Sequence, residues 1–189
     1  MNERELLLDC LRRLNRSRVV YYLTGSMASN YWGIPRTTHD LDFVVQLPPP
    51  AATRIIQEFS GDFYIDEEAV QAAQQPPYQF NAVDTRSALK VDFWLARVEP
   101  FDQEMLRRRV QVTLFGESAS IATAEDVILH KLVWHRISPS DRQLGDAAGV
   151  VAVQADALDR DYMRRWAQEL NLAAEIELLL SGQIKPKNT

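Results

Sequence analysis

One cysteine, Cys10, is all the thiol chemistry the 189 residues carry. A lone cysteine cannot close an internal disulfide, so nothing here depends on an oxidising compartment. Its seat on a leucine-bearing segment makes a buried free thiol the expectation. No apolar run approaches the roughly 20 residues a membrane helix needs, so no span is expected. No signal peptide is expected either. Acidic Glu3 and Glu5 stand in front of Leu6, Leu7, Leu8, Leu11 and Leu14, with Arg12 and Arg13 among them, which marks an amphipathic helix. A cytoplasmic protein is therefore expected. Positive charge is in deficit too: 21 Lys and Arg face 26 Asp and Glu, a net charge of −5. That argues against a surface gripping nucleic acid throughout. Arg107-Arg108-Arg109 and Arg164-Arg165 remain as local basic patches, although such runs on helices are more often solvated faces. There is no internal repeat.

What is present is an ordered alternation of elements. Val19–Leu23 is β-branched and aromatic, which suits a buried strand, and it stops at Thr24-Gly25-Ser26. Residues 26–32 then look helical. A strand is expected over Asp40–Gln46, broken by Pro48-Pro49-Pro50, with a helix over 51–59. A short strand at 63–65 and a helix at 67–74 follow. Tyr78–Val83 and Leu89–Ala96 read as a hairpin across Asp84-Thr85-Arg86-Ser87. Residues 101–108 suit a helix, and Val110–Leu114 alternates like an edge strand. From Thr123 the pattern is helical only, over roughly 123–136, 141–154, 159–170 and 172–182. The fold class is thus α/β (α+β), with a core over 1–118 and a helical subdomain over 119–189. Residues 185–189 read as a disordered tail.

Chemistry concentrates at three places. In Asp40-Leu41-Asp42-Phe43 the strand alternation puts two carboxylates on one face, where like charges repel and a divalent cation is the usual resolution. Magnesium takes hard oxygen ligands and keeps water and phosphate in its other positions. A solvated strand face is the structural alternative. In Lys90-Val91-Asp92-Phe93 a single acid sits in an apolar strand and needs a partner if buried. A salt bridge to an arginine would serve. On a strand beside Asp42, it would instead complete a three-carboxylate site for two ions about 4 Å apart. At Thr24-Gly25-Ser26 a glycine opens a helix whose free N–H groups suit a phosphate, while Ser26 could equally cap that helix.

The order of strand, Gly25-Ser26, helix, Arg36-Thr37-Thr38-His39-Asp40-Leu41-Asp42 and then Asp92 resembles the nucleotidyltransferase superfamily, which includes polymerase β and antibiotic-modifying transferases. Within it, the Arg-x-Thr-x-Asp-Leu-Asp run and the helical tail most resemble the AbiEii-like toxins. The resemblance implies a nucleotidyltransferase-fold mixed sheet with flanking helices. It also implies an enzyme that moves a nucleoside monophosphate from an NTP to a hydroxyl. Asp40, Asp42 and Asp92 would be the magnesium ligands and catalytic acids, with Asp92 as the alternative base for the incoming hydroxyl. Gly25, Ser26 and Arg36 would bind the nucleotide. Lys131 shares a stripe with Val127 and Ile128, where a lysine either snorkels or points into a cleft; the resemblance implies that it reaches the triphosphate. Arg142 and Asp146 are spaced to pair along one helix, and the resemblance instead implies that both border the cleft, Asp146 orienting Lys131 or substrate. The acceptor in the toxin branch is the end of a tRNA or a protein side chain, with an antitoxin as partner; in the resistance branch it is a drug hydroxyl. His39, His130 and His135 have no zinc-ligand spacing with a cysteine. Two rivals stand beside this: a nucleotide-binding module without turnover, and a structural protein whose acids pair with arginines such as Arg36 and Arg86.

Overall fold

A computed structural model describes residues 2–186. Of the expected disordered tail, residues 187–189 lie outside the described residues. Helices alternate with strands as far as residue 121 and continue alone after it: α1 (Glu3–Ser17), β1 (Val20–Leu23), α2 (Gly25–Trp32), β2 (Leu41–Gln46), α3 (Pro49–Phe59), β3 (Phe63–Ile65), α4 (Glu67–Ala72), β4 (Gln79–Asp84), β5 (Lys90–Leu95), α5 (Pro100–Arg108), β6 (Val110–Leu114), β7 (Glu117–Ile121), α6 (Ala124–Ile137), α7 (Asp141–Gln154), a 3-10 turn (Ala155–Ala157), α8 (Arg160–Glu169) and α9 (Ala173–Leu180). The α/β class expected from the sequence is the one observed. No helix among the described residues is long and apolar enough to cross a membrane.

The chain forms two compact units, residues 1–24 with 39–121 and residues 25–38 with 122–189. This differs from a single break at residue 118. Residues 25–38, including α2, group with the helices, and β7 carries the sheet unit on to Ile121. The sequence reading missed β7, because Glu117-Ser118-Ala119-Ser120-Ile121 is short and mostly polar. Phe115 and Gly116, both with positive φ, turn the chain back so that β7 pairs antiparallel with β6.

Among the described residues the sheet unit holds seven strands, in the order β3-β4-β5-β2-β1-β7-β6. Neighbours are antiparallel except β2 with β5 and β1 with β7. β6 stands at an edge, as its alternation suggests. One sheet face is fully buried: Leu41, Phe43 and Val45 on β2, Val91, Phe93 and Leu95 on β5, Phe80 and Ala82 on β4. Its centre is aromatic. Phe93 stacks between Phe80 (centroids 4.9 Å apart) and Phe43 (5.9 Å), and Phe59 of α3 meets it edge-on at 5.3 Å. α1 adds Leu6, Leu7, Cys10, Leu11 and Leu14, each no more than 1% exposed, so the thiol is buried as expected. A capping box starts α1: the Glu5 amide donates to Asn2 Oδ1, and the Asn2 amide donates back to Glu5 Oε2. Two prolines occupy the first turn of α3, which needs no N–H there, so the helix begins two residues before the expected Ala51. The buried carboxylate Asp84 is held by Arg86 and by Ser87 Oγ, and Arg86 also reaches Asp9 of α1.

The helical unit packs α2 and α6 to α9. Gly33, at the end of α2, sets the closest approach: a Cβ there would lie 2.7–2.9 Å from backbone atoms of Gly149 and Val150 in α7. Backbone cannot yield as a side-chain tip does. Gly33→Ala is therefore expected to cost about 1–3 kcal/mol, visible as a lowered melting temperature. A variant that melts with the parent would refute this close packing.

Candidate active site

The expected site residues divide between the units, with Asp40, Asp42 and Asp92 on the sheet unit and Gly25, Ser26, Arg36, Lys131 and Asp146 on the helical unit. On the sheet, β2 and β5 run parallel with Asp42 opposite Asp92. Register partners on adjacent strands share a face, and strands lie about 4.8 Å apart, so these two carboxylates emerge side by side. They occupy the face opposite the phenylalanine stack, because Leu41, Phe43, Val91 and Phe93 alternate with them. The Asp42 carbonyl accepts from the Thr24 amide at 3.0 Å, which anchors the end of β1 beside it. Trp94 Nε1 donates to Asp42 Oδ1 over a long 3.4 Å.

Asp92 is 9% exposed. Its Oδ2 lies 2.9 Å from Lys90 Nζ, while Oδ1 is buried with no hydrogen-bond partner. A buried carboxylate oxygen without a donor is costly, and a ligand or a proton at Oδ1 would relieve that cost. Asp40 is exposed and lies immediately before β2, which begins at Leu41, one residue later than expected. Among the described residues, no three His, Cys, Asp or Glu side chains form a group able to hold a metal. What is assembled is a pair of carboxylates with one orphaned oxygen. Hard oxygens of that kind fit magnesium, whose remaining positions go to water and substrate phosphate.

On the helical unit, α2 starts at Gly25, whose φ of 61° is a left-handed value that glycine alone adopts without strain. Ser26 lies inside the first turn, so it does not cap the helix, and its Oγ accepts from Arg36 Nη2 at 2.8 Å. Arg36 is almost wholly engaged by protein. Its Nε and Nη2 clamp the two oxygens of Asp146 at 2.7 and 2.9 Å, and Nη1 donates to the Thr37 carbonyl. Lys131, 6% exposed, donates from Nζ to the same Asp146 Oδ2 at 2.8 Å. Burial pushes the Asp146 carboxyl up, but hydrogen bonds from Arg36 and the charge and hydrogen bond of Lys131 outweigh it, leaving it below the ordinary aspartate range. The helical pair of Arg142 with Asp146, left open by the sequence, gives way to these longer-range contacts; Arg142 is exposed. Lys131 is held inward by Asp146 and does not snorkel.

In fold, the protein is similar to an antigenic nucleotidyltransferase-like protein from Paracoccidioides brasiliensis, with a TM-score of 0.54 and 12% identity over 98% of this chain and 94% of that one. It is also similar to the antibiotic-resistance factor ANT(2'')-Ia, with a TM-score of 0.53 and 13% identity over 95% of this chain and 90% of that one. The chain has the nucleotidyltransferase fold. No family model and no curated protein sequence matches it.

Two residues of this nucleotidyltransferase fold escaped the sequence reading. Lys90 pairs with Asp92, and its position two residues before Asp92 on one strand puts both on one face; that parity was a usable signal. Asn30 clamps the Arg36 backbone: its Oδ1 accepts from the Arg36 amide at 3.0 Å, and its Nδ2 donates to the Arg36 carbonyl at 2.7 Å. Nothing in the sequence marks it. The arginines suggested as structural partners of the acids are committed to other carboxylates, Arg36 to Asp146 and Arg86 to Asp9, Asp84 and Asp62. The basic runs are used in ion pairs too, Arg107 with Glu104 and Arg164 with Glu177. His39 meets Glu3, and His135 Nδ1 accepts from the Ser140 amide.

Proposed function

We propose that the protein is a magnesium-dependent nucleotidyltransferase of the cytoplasm. An acceptor hydroxyl attacks the α-phosphorus of an NTP, the bond to the pyrophosphate oxygen breaks, and the nucleoside monophosphate passes to the acceptor. The observation that carries this reading is the register pair Asp42 and Asp92, with its buried, partnerless Oδ1. Asp42 and Asp92, with Asp40 from the preceding segment, would hold magnesium. When bound, the ion supplies charge neutralisation on the triphosphate and the oxygens that leave and attack. Asp92 Oδ1 is the group available to accept the acceptor's proton. Gly25 and Ser26 begin a helix whose N-terminal amides suit phosphate. Lys131 contributes the cation for the triphosphate, oriented by Asp146, and Arg36 serves by fixing Asp146 and Ser26. Placement and electrostatics, rather than covalent chemistry by the protein, account for the rate.

The acceptor follows from the resemblance to AbiEii-like toxins: the end of a tRNA or a protein side chain, in a protein that would be held by an antitoxin. The likeness to an antibiotic-resistance factor favours a drug hydroxyl as the second reading. The test incubates the protein with each α-labelled NTP, magnesium, total RNA and cell protein, and in parallel with aminoglycosides. Label is expected in one acceptor class and is expected to vanish on chelation. If no acceptor is labelled and magnesium with NTP leaves the melting temperature unchanged, the proposal fails, because a ligand of the folded state must raise it.

A further inference from the structure

Asp92 carries two oxygens in opposite situations. Oδ1 is buried and without a partner, whereas Oδ2 is taken by Lys90, whose side chain is 52% exposed. Lys90 thus places a cation where a metal is proposed to bind. We propose that Lys90 is an internal counter-ion that occupies Asp92 in the metal-free protein and must let go of it when a divalent cation arrives. Lys90 thereby sets the concentration at which the site loads. This rests on the metal reading given above, and assigns a role within it to a residue that is not itself a ligand.

Two carboxylates on adjacent strands repel each other, and without a cation the sheet face would carry that repulsion uncompensated. An ammonium on a flexible stem two residues away on the same face relieves it at no cost in backbone geometry. Lys90 is half exposed and holds Asp92 through one contact on a flexible stem, so a divalent ion can displace it.

The test measures binding of Mn2+ alone, by electron paramagnetic resonance of the free ion, with no nucleotide and no turnover. Lys90→Met keeps the apolar stem and removes the charge. It is expected to tighten Mn2+ binding by about three- to tenfold, the scale of one unit charge a few ångströms away. The gain is expected to shrink as salt rises, because the lost charge acts through solvent. Lys90→Arg restores the charge and is expected to bind as the parent does. In an Asp92→Asn background Lys90→Met is expected to change nothing, since there is then no carboxylate to compete for. If the parent binds Mn2+, Asp42→Asn abolishes it, and Lys90→Met binds equally or more weakly, the counter-ion role is overturned and the metal site stands. If the parent binds no Mn2+, the metal reading itself falls and Lys90's role with it. Thermal melts of each variant separate these results from misfolding.

Discussion

Asp92→Asn is expected to lower transfer by about a thousandfold, the scale of losing one electrostatic contact in a transition state, while leaving the fold intact. The two effects come apart because Asp92 is poorly placed as a structural group. Its Oδ1 is buried without a hydrogen bond, and its Oδ2 has only an exposed lysine. The amide has the same shape and carries no charge into the sheet. Its loss of the Lys90 pair forfeits little, since Lys90 is half exposed and is left solvated rather than stranded. The melting temperature is therefore expected to stay within about 3 °C of the parent, or to rise. Activity is affected for the opposite reason: an amide neither takes a proton nor binds a hard cation as a carboxylate does. The measurements are single-turnover transfer and a thermal melt on the same preparation. A variant that retains transfer would remove Asp92 from the mechanism. One that loses transfer and unfolds would return Asp92 to the role of a structural acid.

The contrast with Asp84 shows why burial of a carboxylate alone is not diagnostic. Asp84 has no exposed surface, yet Arg86 and Ser87 satisfy it, and its carboxyl is held down: burial raises it, and hydrogen bonds from Ser87 and Arg86 more than reverse this. Both acids sit on strands next to one another in the sheet. What separates them is the account of partners, which a sequence does not carry.

Local periodicity made most of the fold legible. Strands β1, β2, β4, β5 and β6 carry apolar or β-branched runs, and α6 and α8 begin at side-chain caps, Thr123 and Asp159. β7 failed that test because its residues owe their strand state to pairing with β6 and β1 rather than to their own preference. The grouping of residues 25–38 with the later helices could not be read either. It depends on contacts such as that of the Gly33 backbone with Gly149 and Val150, more than a hundred residues downstream in sequence. For the candidate site, residue types were legible and partnerships were not. Asp92 on a strand beside Asp42 was one of two alternatives the sequence left open, and the register of β2 with β5 is what pairs them. The strand begins at Leu41, one residue later than expected, which leaves Asp40 just outside it. Arg36 was expected to hold nucleotide, whereas most of its donors are spent on Asp146, Ser26 and Thr37.

That concentration of partners on Asp146 makes its removal the substitution with the largest expected effect on stability. Asp146→Ala takes from Arg36 and Lys131 the carboxylate they share, with side-chain exposures of only 16% for Arg36, 7% for Lys131 and 8% for Asp146 itself. Removing one partner of a buried ion pair costs about 3–5 kcal/mol, or about 10 °C in melting temperature for a chain of this size. A second substitution tells whether the cost is electrostatic. If it comes from cations stripped of their anion, then Lys131→Met should recover part of the loss in the Asp146→Ala background, although alone it destabilises. Acid provides an independent check. The folded carboxyl of Asp146 is depressed, so its contribution to stability is fully present above the ordinary aspartate value, about 3.9, and is lost as pH falls through the lower folded value. The difference in melting temperature between the parent and Asp146→Ala should therefore be constant near neutrality and narrow only below about pH 4. Transfer should fall more than stability explains under conditions where both are folded, because Lys131 no longer has the carboxylate that orients it. A variant that melts with the parent at pH 7, or a gap that does not narrow in acid, would show that Asp146 is not the centre of this network.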